Sequence, residues 1–378
     1  MRKLVLTSIL SAFTLTLGAQ QASVGQPEAG CKLMGGFLVA HHIEMQYLTR
    51  SHAWAAEVYY EKPVTGKKYW HWLYRRPEIG YTFLFVSPGN PEEIGYGLAA
   101  IPYIKFHPVY REHFRFNIRS GMGVGYLSNF FNRVDNNKNV AIGSHTNIVF
   151  NVCFEPEWRL GKWDLGIGIS FVHYSNGAWK VPNLGYNIPM IHLNVGKRFG
   201  QHIERKIRVR VMEHQPEPDY FMWKKWTFQL ALNGGVKEIL PVGGPKYGVF
   251  CFAATALMRH SPMSSFLFSS ETYYNNAYHA ALERFYETKI NGGQAIRSGV
   301  AVGYGLNVGK LLIYLQNGIY AYSAYRSFDG SFFHRLGARY VFDSGLMLHA
   351  GLKTHFAKAD NFELGIGYCW GKAKTENK

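Results

Sequence analysis

The chain has 378 residues and a formal charge of +16, with 16% aromatic residues, 40 glycines and only 17% charged residues. So few charges beside so many aromatics do not suit a soluble globule. No apolar run beyond the amino-terminal segment approaches the roughly 20 residues a helix needs to cross a bilayer, which excludes a helical membrane protein.

Residues 1–19 carry Arg2 and Lys3, an apolar run from Leu4 to Leu17 and small residues ending at Ala19. This is the layout of a cleaved secretory signal peptide. Export separates the chain from nucleic acid, so its positive charge is expected to meet lipid phosphates instead. Segments of about ten alternating residues then follow at 34–45, 52–61, 79–87, 95–106 and 113–127, rich in Tyr, Phe, Trp and Gly. That pattern is the signature of an all-β, antiparallel transmembrane β-barrel of the outer membrane. A polar loop with clustered Asn spans 128–144, and a sixth strand spans 146–160. Its outward parity carries Ile148, Phe150, Val152 and Phe154; Asn151, Cys153, Glu155 and Glu157 face the lumen. The seventh strand starts at Trp163, and the eighth, 188–199, ends the first half, 20–199.

Residues 200–224, with RKIRVRV and HQPEPD, read as a connection. The second half, 225–378, offers strands at 225–236, 247–258, 264–272, 296–308, 310–322, 331–341, 344–355 and 361–370, with a short helix in the 273–287 segment. Eight and eight suggest one barrel of about 14–16 strands, which the second half completes. Tandem eight-stranded barrels are the alternative, and the long connection argues for them. Cys31, Cys153, Cys251 and Cys369 lie too far apart to specify a disulfide or a metal site.

The seventh strand carries the chemistry. In WDLGIGISFVHYSNG, Trp163, Leu165, Ile167, Ile169 and Phe171 share one parity, and His173 and Ser175 continue it. A base and a hydroxyl two residues apart on a lipid-facing strand face are neighbours at the membrane surface. If the amino terminus is periplasmic, odd strands run outward and this pair sits at the outer rim. A serine needs such a base to attack an ester at neutral pH.

His173-Tyr174-Ser175-Asn176-Gly177, followed by Pro182-Asn183 and Gly185, resembles the motif of the outer-membrane lipid A 3-O-deacylases of the PagL type, also known as acyloxyacyl hydrolases. The resemblance covers about 33–199. It implies a cofactor- and metal-free serine esterase that removes the 3-position acyl chain of lipid A in lipopolysaccharide. His173 would be the base, Ser175 the nucleophile, and Asn183 with the backbone at Asn176 and Gly177 the oxyanion donors. The family's acid falls fourteen residues after the histidine, where this chain has Asn187. An Asn can accept from the imidazole N–H and hold its tautomer, but it stabilises an imidazolium less than a carboxylate does.

Two other functions fit the composition. A porin would use all sixteen strands and could select anions with lumen residues such as Lys353; a structural envelope barrel would keep the motif as a relic. An echo of the motif at 354–368, THFAKADNFELGIGY, has Ala357 where the hydroxyl should be and His355 on the lumen parity beside Lys353, so a second site is not expected.

Overall fold

A computed structural model describes residues 26–65, 68–200, 223–287, 289–325, 330–356 and 358–372. The signal peptide, nearly all of the 200–224 connection and Ala357 lie outside these residues. These residues contain sixteen strands. The first eight are β1 (Glu28–Gly36), β2 (Ala53–Pro63), β3 (Glu78–Ser87), β4 (Gly97–Tyr110), β5 (Phe114–Leu127), β6 (Thr146–Leu160), β7 (Trp163–Ser175) and β8 (Tyr186–Arg198). The second eight are β9 (Trp223–Glu238), β10 (Lys246–Ser261), β11 (Ser264–Asn275), β12 (Ile296–Val308), β13 (Leu311–Ser323), β14 (Phe332–Val341), β15 (Leu346–His355) and β16 (Lys358–Lys372). Among the described residues two α-helices interrupt them, α1 (Tyr69–Leu73) and α2 (Asn276–Tyr286), the second within the segment expected to be helical.

The strands form two closed eight-stranded antiparallel barrels, β1–β8 and β9–β16. The second half therefore does not complete the first barrel; the tandem arrangement is the one found. β8 returns to β1 from Glu28↔Arg198 to Gly36↔Met190, and β16 returns to β9 below Leu364↔Gly234. The reason lies in the inward side chains. An eight-stranded barrel is just wide enough for its own side chains to fill, and here they neutralise one another across each lumen. In the first barrel Arg119 binds Glu57, Lys32 binds Glu155, and Arg115 sits among Glu28, Glu78, Glu157 and Asp164. In the second, Arg335 binds Glu271 and Glu363, and Lys353 binds Asp360. Buried charges need their partners to offset the loss of water. Opened into one wide channel, they would lose these partners. Lys353 is thus buried and paired rather than lining an anion path.

The first strand begins earlier than its sequence pattern suggests, and residues 43–48 form a 3₁₀ turn instead. Its outward positions Ala29, Cys31 and Leu33 include only one large apolar side chain, which weakens the alternation, while Lys32 faces inward to meet Glu155. The four cysteines are unbonded to one another, Cys31 exposed and the other three buried.

Both barrels have short turns at one end, such as 161–162 and 309–310, and long loops at the other, such as 128–145 and 276–295. Short turns mark the periplasmic end of such barrels and long loops the exterior. The barrels stand side by side in the same sense and touch at both ends. At the short-turn end the Tyr74 hydroxyl donates to the carbonyls of Met263 and Asn307, at 3.2 and 2.9 Å. At the long-loop end Arg133 donates to Val242 O at 2.7 Å, and Lys246 donates to Trp179 O.

Candidate active site

β7 alternates as its sequence requires: Ile169 is 58% exposed on the outer wall while Val172 and Tyr174 fill the lumen. His173 and Ser175 continue the outward parity to the long-loop rim, where cover increases. His173 is half-buried and Ser175 only 6% exposed. Their cross-strand neighbours fix the surroundings: Phe150 lies opposite His173 and Ile148 opposite Ser175 on β6, and Asn187 lies opposite His173 on β8.

That last pairing decides the state of the imidazole. His173 Nδ1 lies 2.6 Å from Asn187 Oδ1. The amide oxygen can only accept, so the ring proton is on Nδ1 and Nε2 carries the free lone pair. Asn187 in turn donates from Nδ2 to Nδ1 of His41 at 3.1 Å, and His41 Nε2 donates to Leu184 O at 3.0 Å. The three groups form one directed chain, His173 to Asn187 to His41 to the backbone. It holds the Asn187 amide with its oxygen toward the imidazole, which an isolated amide has no reason to prefer.

His41 has no counterpart in the sequence expectations. It lies in the β1–β2 loop, far from the motif, and nothing in its spacing links it to Asn187. Glu155 and Glu157 sit in the lumen, where Glu155 pairs with Lys32 and His192 at 2.7 and 2.8 Å. Neither carboxylate is a partner of His173.

Ser175 ends β7 and leads into the ten-residue loop 176–185. Two donors converge on its Oγ, the Gly177 N–H at 3.2 Å and Asn183 Nδ2 at 3.1 Å. The Asn176 N–H donates to Asn183 Oδ1 at 2.9 Å and so sets which way that amide faces. The Asn176 side chain is buried and donates to Ser144 Oγ and Lys180 O, at 3.0 and 2.8 Å. It pins the loop, and its backbone N–H is already engaged. No hydrogen bond joins His173 to Ser175 among the described residues; such bonds commonly tighten only with substrate in place.

The second glycine of the motif has a steric reason. Gly185 has φ +84°, and a Cβ there would stand 2.9 Å from His173 Cε1. Only glycine adopts this conformation freely and leaves the ring its room. In the second barrel, His355 faces the lumen, with Nε2 3.0 Å from the Tyr320 hydroxyl.

The first barrel matches the family described as lipid A 3-O-deacylase (PagL) over residues 54–197, and the second matches the C-terminal domain of acyloxyacyl hydrolases over 226–372. No curated protein sequence matches the chain. Among solved structures, the chain is similar to the outer-membrane enzyme PagL at 15% identity, covering 44% of this chain and 97% of that one, with a TM-score of 0.29. A triple mutant of the Rhodopseudomonas blastica porin matches at 6% identity over 91% of this chain and 99% of that one, TM-score 0.18. The NanC porin matches at 9% identity over 91% and 100%, TM-score 0.16. Structural likenesses this low carry no weight on architecture or chemistry, whereas the two family matches meet both barrels within their bounds: the chain belongs to the lipid A 3-O-deacylase (PagL) family.

Proposed function

We infer that this outer-membrane barrel protein is a serine esterase that removes the ester-linked 3-position acyl chain from lipid A of lipopolysaccharide. The observation that carries the reading is the outward position of His173 and Ser175. The pair continues the lipid-facing row of Ile167, Ile169 and Phe171, so an acyl chain lying along the wall brings its ester to the hydroxyl.

The chemistry follows from the hydrogen bonds. With its Nδ1 proton given to Asn187, His173 offers Nε2 to take the Ser175 proton as Oγ attacks the ester carbonyl. The carbonyl oxygen becomes an oxyanion, and Asn183 Nδ2 with the Gly177 N–H are the donors poised to receive it. Collapse breaks the bond to the sugar oxygen, which takes the proton from the imidazolium. Water then enters by the same route, gives a proton to His173 Nε2 as it attacks the acyl–Ser175 ester, and the fatty acid leaves as the Ser175 oxygen takes that proton back. Asn187 and His41 orient the base with neutral groups, so the imidazolium gains less than it would beside a carboxylate. Every protein group used in these steps belongs to the first barrel. The paired charges that fill both lumens speak against a porin.

The test is mass spectrometry of lipid A from cells producing the wild type or Ser175→Ala. Loss of one 3-hydroxyacyl group with wild type alone is the expected result. The same loss with Ser175→Ala, correctly folded by heat modifiability, would discard the esterase.

A further inference from the structure

The second barrel is not closed along its whole height. β9 and β16 pair from Trp223↔Lys372 up to Gly234↔Leu364 and no further, although β9 runs on to Glu238 and β16 starts at Lys358. Above that point the seam faces the first barrel, and what enters it is the loop after Ser175. The Phe362 N–H donates to Gly177 O at 3.1 Å, and the Glu238 N–H donates to Ala178 O at 3.1 Å. Two neighbouring carbonyls of one barrel thus occupy strand-edge donors of the other, as an added strand would.

The two residues held are unusual. Gly177 and Ala178 both have φ +64°, and a non-glycine residue in that region persists only where its surroundings impose it. The fit is close, since a Cβ on Gly177 would lie 2.8 Å from that of Phe362. The Gly177 peptide is also the one whose N–H points at Ser175 Oγ. Its carbonyl and the next are anchored in the second barrel while the preceding N–H serves the first.

We propose that the second barrel is a clamp for the oxyanion loop of the first. Its open seam, through the Phe362 and Glu238 N–H groups, holds Gly177–Ala178 in the left-handed conformation that aims the Gly177 N–H at the reacting oxygen. Phe362 and Glu238 are positioning residues and do not touch substrate. This role rests on Ser175 as nucleophile, and it gives the second barrel a task that a self-sufficient eight-stranded enzyme would leave unexplained.

Phe362→Pro and Glu238→Pro, each in the full chain, remove one donor at a strand edge that serves no ladder, where proline is tolerated. Phe362→Leu keeps the donor. Heat modifiability and amide exchange of 176–185 are measured for all, with kcat and KM on a lipid A substrate. The clamp predicts faster exchange in 176–185 for both proline variants. It also predicts a kcat lower by about a hundredfold, the order expected when a reacting group is misplaced by an ångström, with KM little changed. Phe362→Leu should recover most of the turnover lost in Phe362→Pro. Unchanged exchange in folded proline variants would overturn the clamp, and faster exchange with unchanged kcat would overturn its part in catalysis. A wild type that hydrolyses nothing would instead overturn the esterase reading, and the exchange measurement would still decide the clamp.

Discussion

The seventh and eighth strands of the two barrels form the same hairpin with opposite outcomes. In the first, β7 and β8 are separated by the ten residues 176–185, enough for Asn183 to fold back on Ser175 and for Gly185 to clear the imidazole. In the second, only positions 356–357 separate β15 from β16. The histidines differ in parity as well: His173 faces outward to meet Asn187, and His355 faces inward to meet Tyr320 and sits 3.8 Å from Asp360. A barrel wall becomes a candidate site through parity and loop length together. A histidine near the rim is insufficient without both.

Removal of the reacting groups should separate the two hairpins most strongly. Ser175→Ala or His173→Ala should lower turnover by at least about a thousandfold, as loss of a nucleophile or base does in hydrolases whose groups act as a unit. His355→Ala should leave turnover near wild type, since its contacts are inside the second lumen. A comparable loss in His355→Ala, measured with labelled lipid A in folded protein, would erase the distinction between the hairpins. Next in size is Asn187→Ala, expected to cost about a hundredfold in kcat because the base keeps its lone pair but loses the partner that fixes its tautomer. Wild-type kcat in that variant would mean that the imidazole needs no orienting group here.

Much of this was legible beforehand, for a physical reason. Outward residues alternate against lipid with period two, so fifteen of sixteen strands lie close to where the pattern puts them, and the parity of His173, Ser175 and His355 follows from it. Barrel closure was not legible, because alternation is the same whether eight strands or sixteen close. The deciding information is which inward charges face each other, such as Lys32 with Glu155 or Arg335 with Glu271, and that is a property of three dimensions. The bounds of β1 are hard to read because its outward row, Ala29, Cys31, Leu33 and Gly35, carries a single large apolar side chain. His41 and Phe362 were missed because one acts through a loop 146 residues from Asn187 and the other through a backbone N–H, which every residue but proline has.

The hairpin geometry can be sharpened further at Gly185. Alanine there must adopt a left-handed φ and crowd His173 Cε1. Gly185→Ala should therefore lower kcat by about tenfold, from a displaced ring, and destabilise the fold by about 1 kcal/mol. Urea titration and kcat on the same preparation separate the two effects. A stability loss with kcat intact would show that β8 moves and the ring does not.

The smallest loss expected among the residues of this site belongs to His41, and it is the most diagnostic. Among the described residues no hydrogen bond joins His41 to Ser175 or to His173; it bonds Asn187 Nδ2 and Leu184 O. His41→Ala frees the Asn187 amide to turn its nitrogen toward His173, where it has no acceptor to offer the imidazole N–H. Part of the population then carries a misoriented base, and kcat should fall by about threefold to tenfold, equivalent to roughly 1 kcal/mol of orienting energy. If His41 acts only through Asn187, His41→Ala and Asn187→Ala together should cost no more than Asn187→Ala alone, the non-additivity expected of groups in one chain of hydrogen bonds. Full additivity in that cycle would give His41 an independent role, and it would then have to be placed against substrate rather than behind the base.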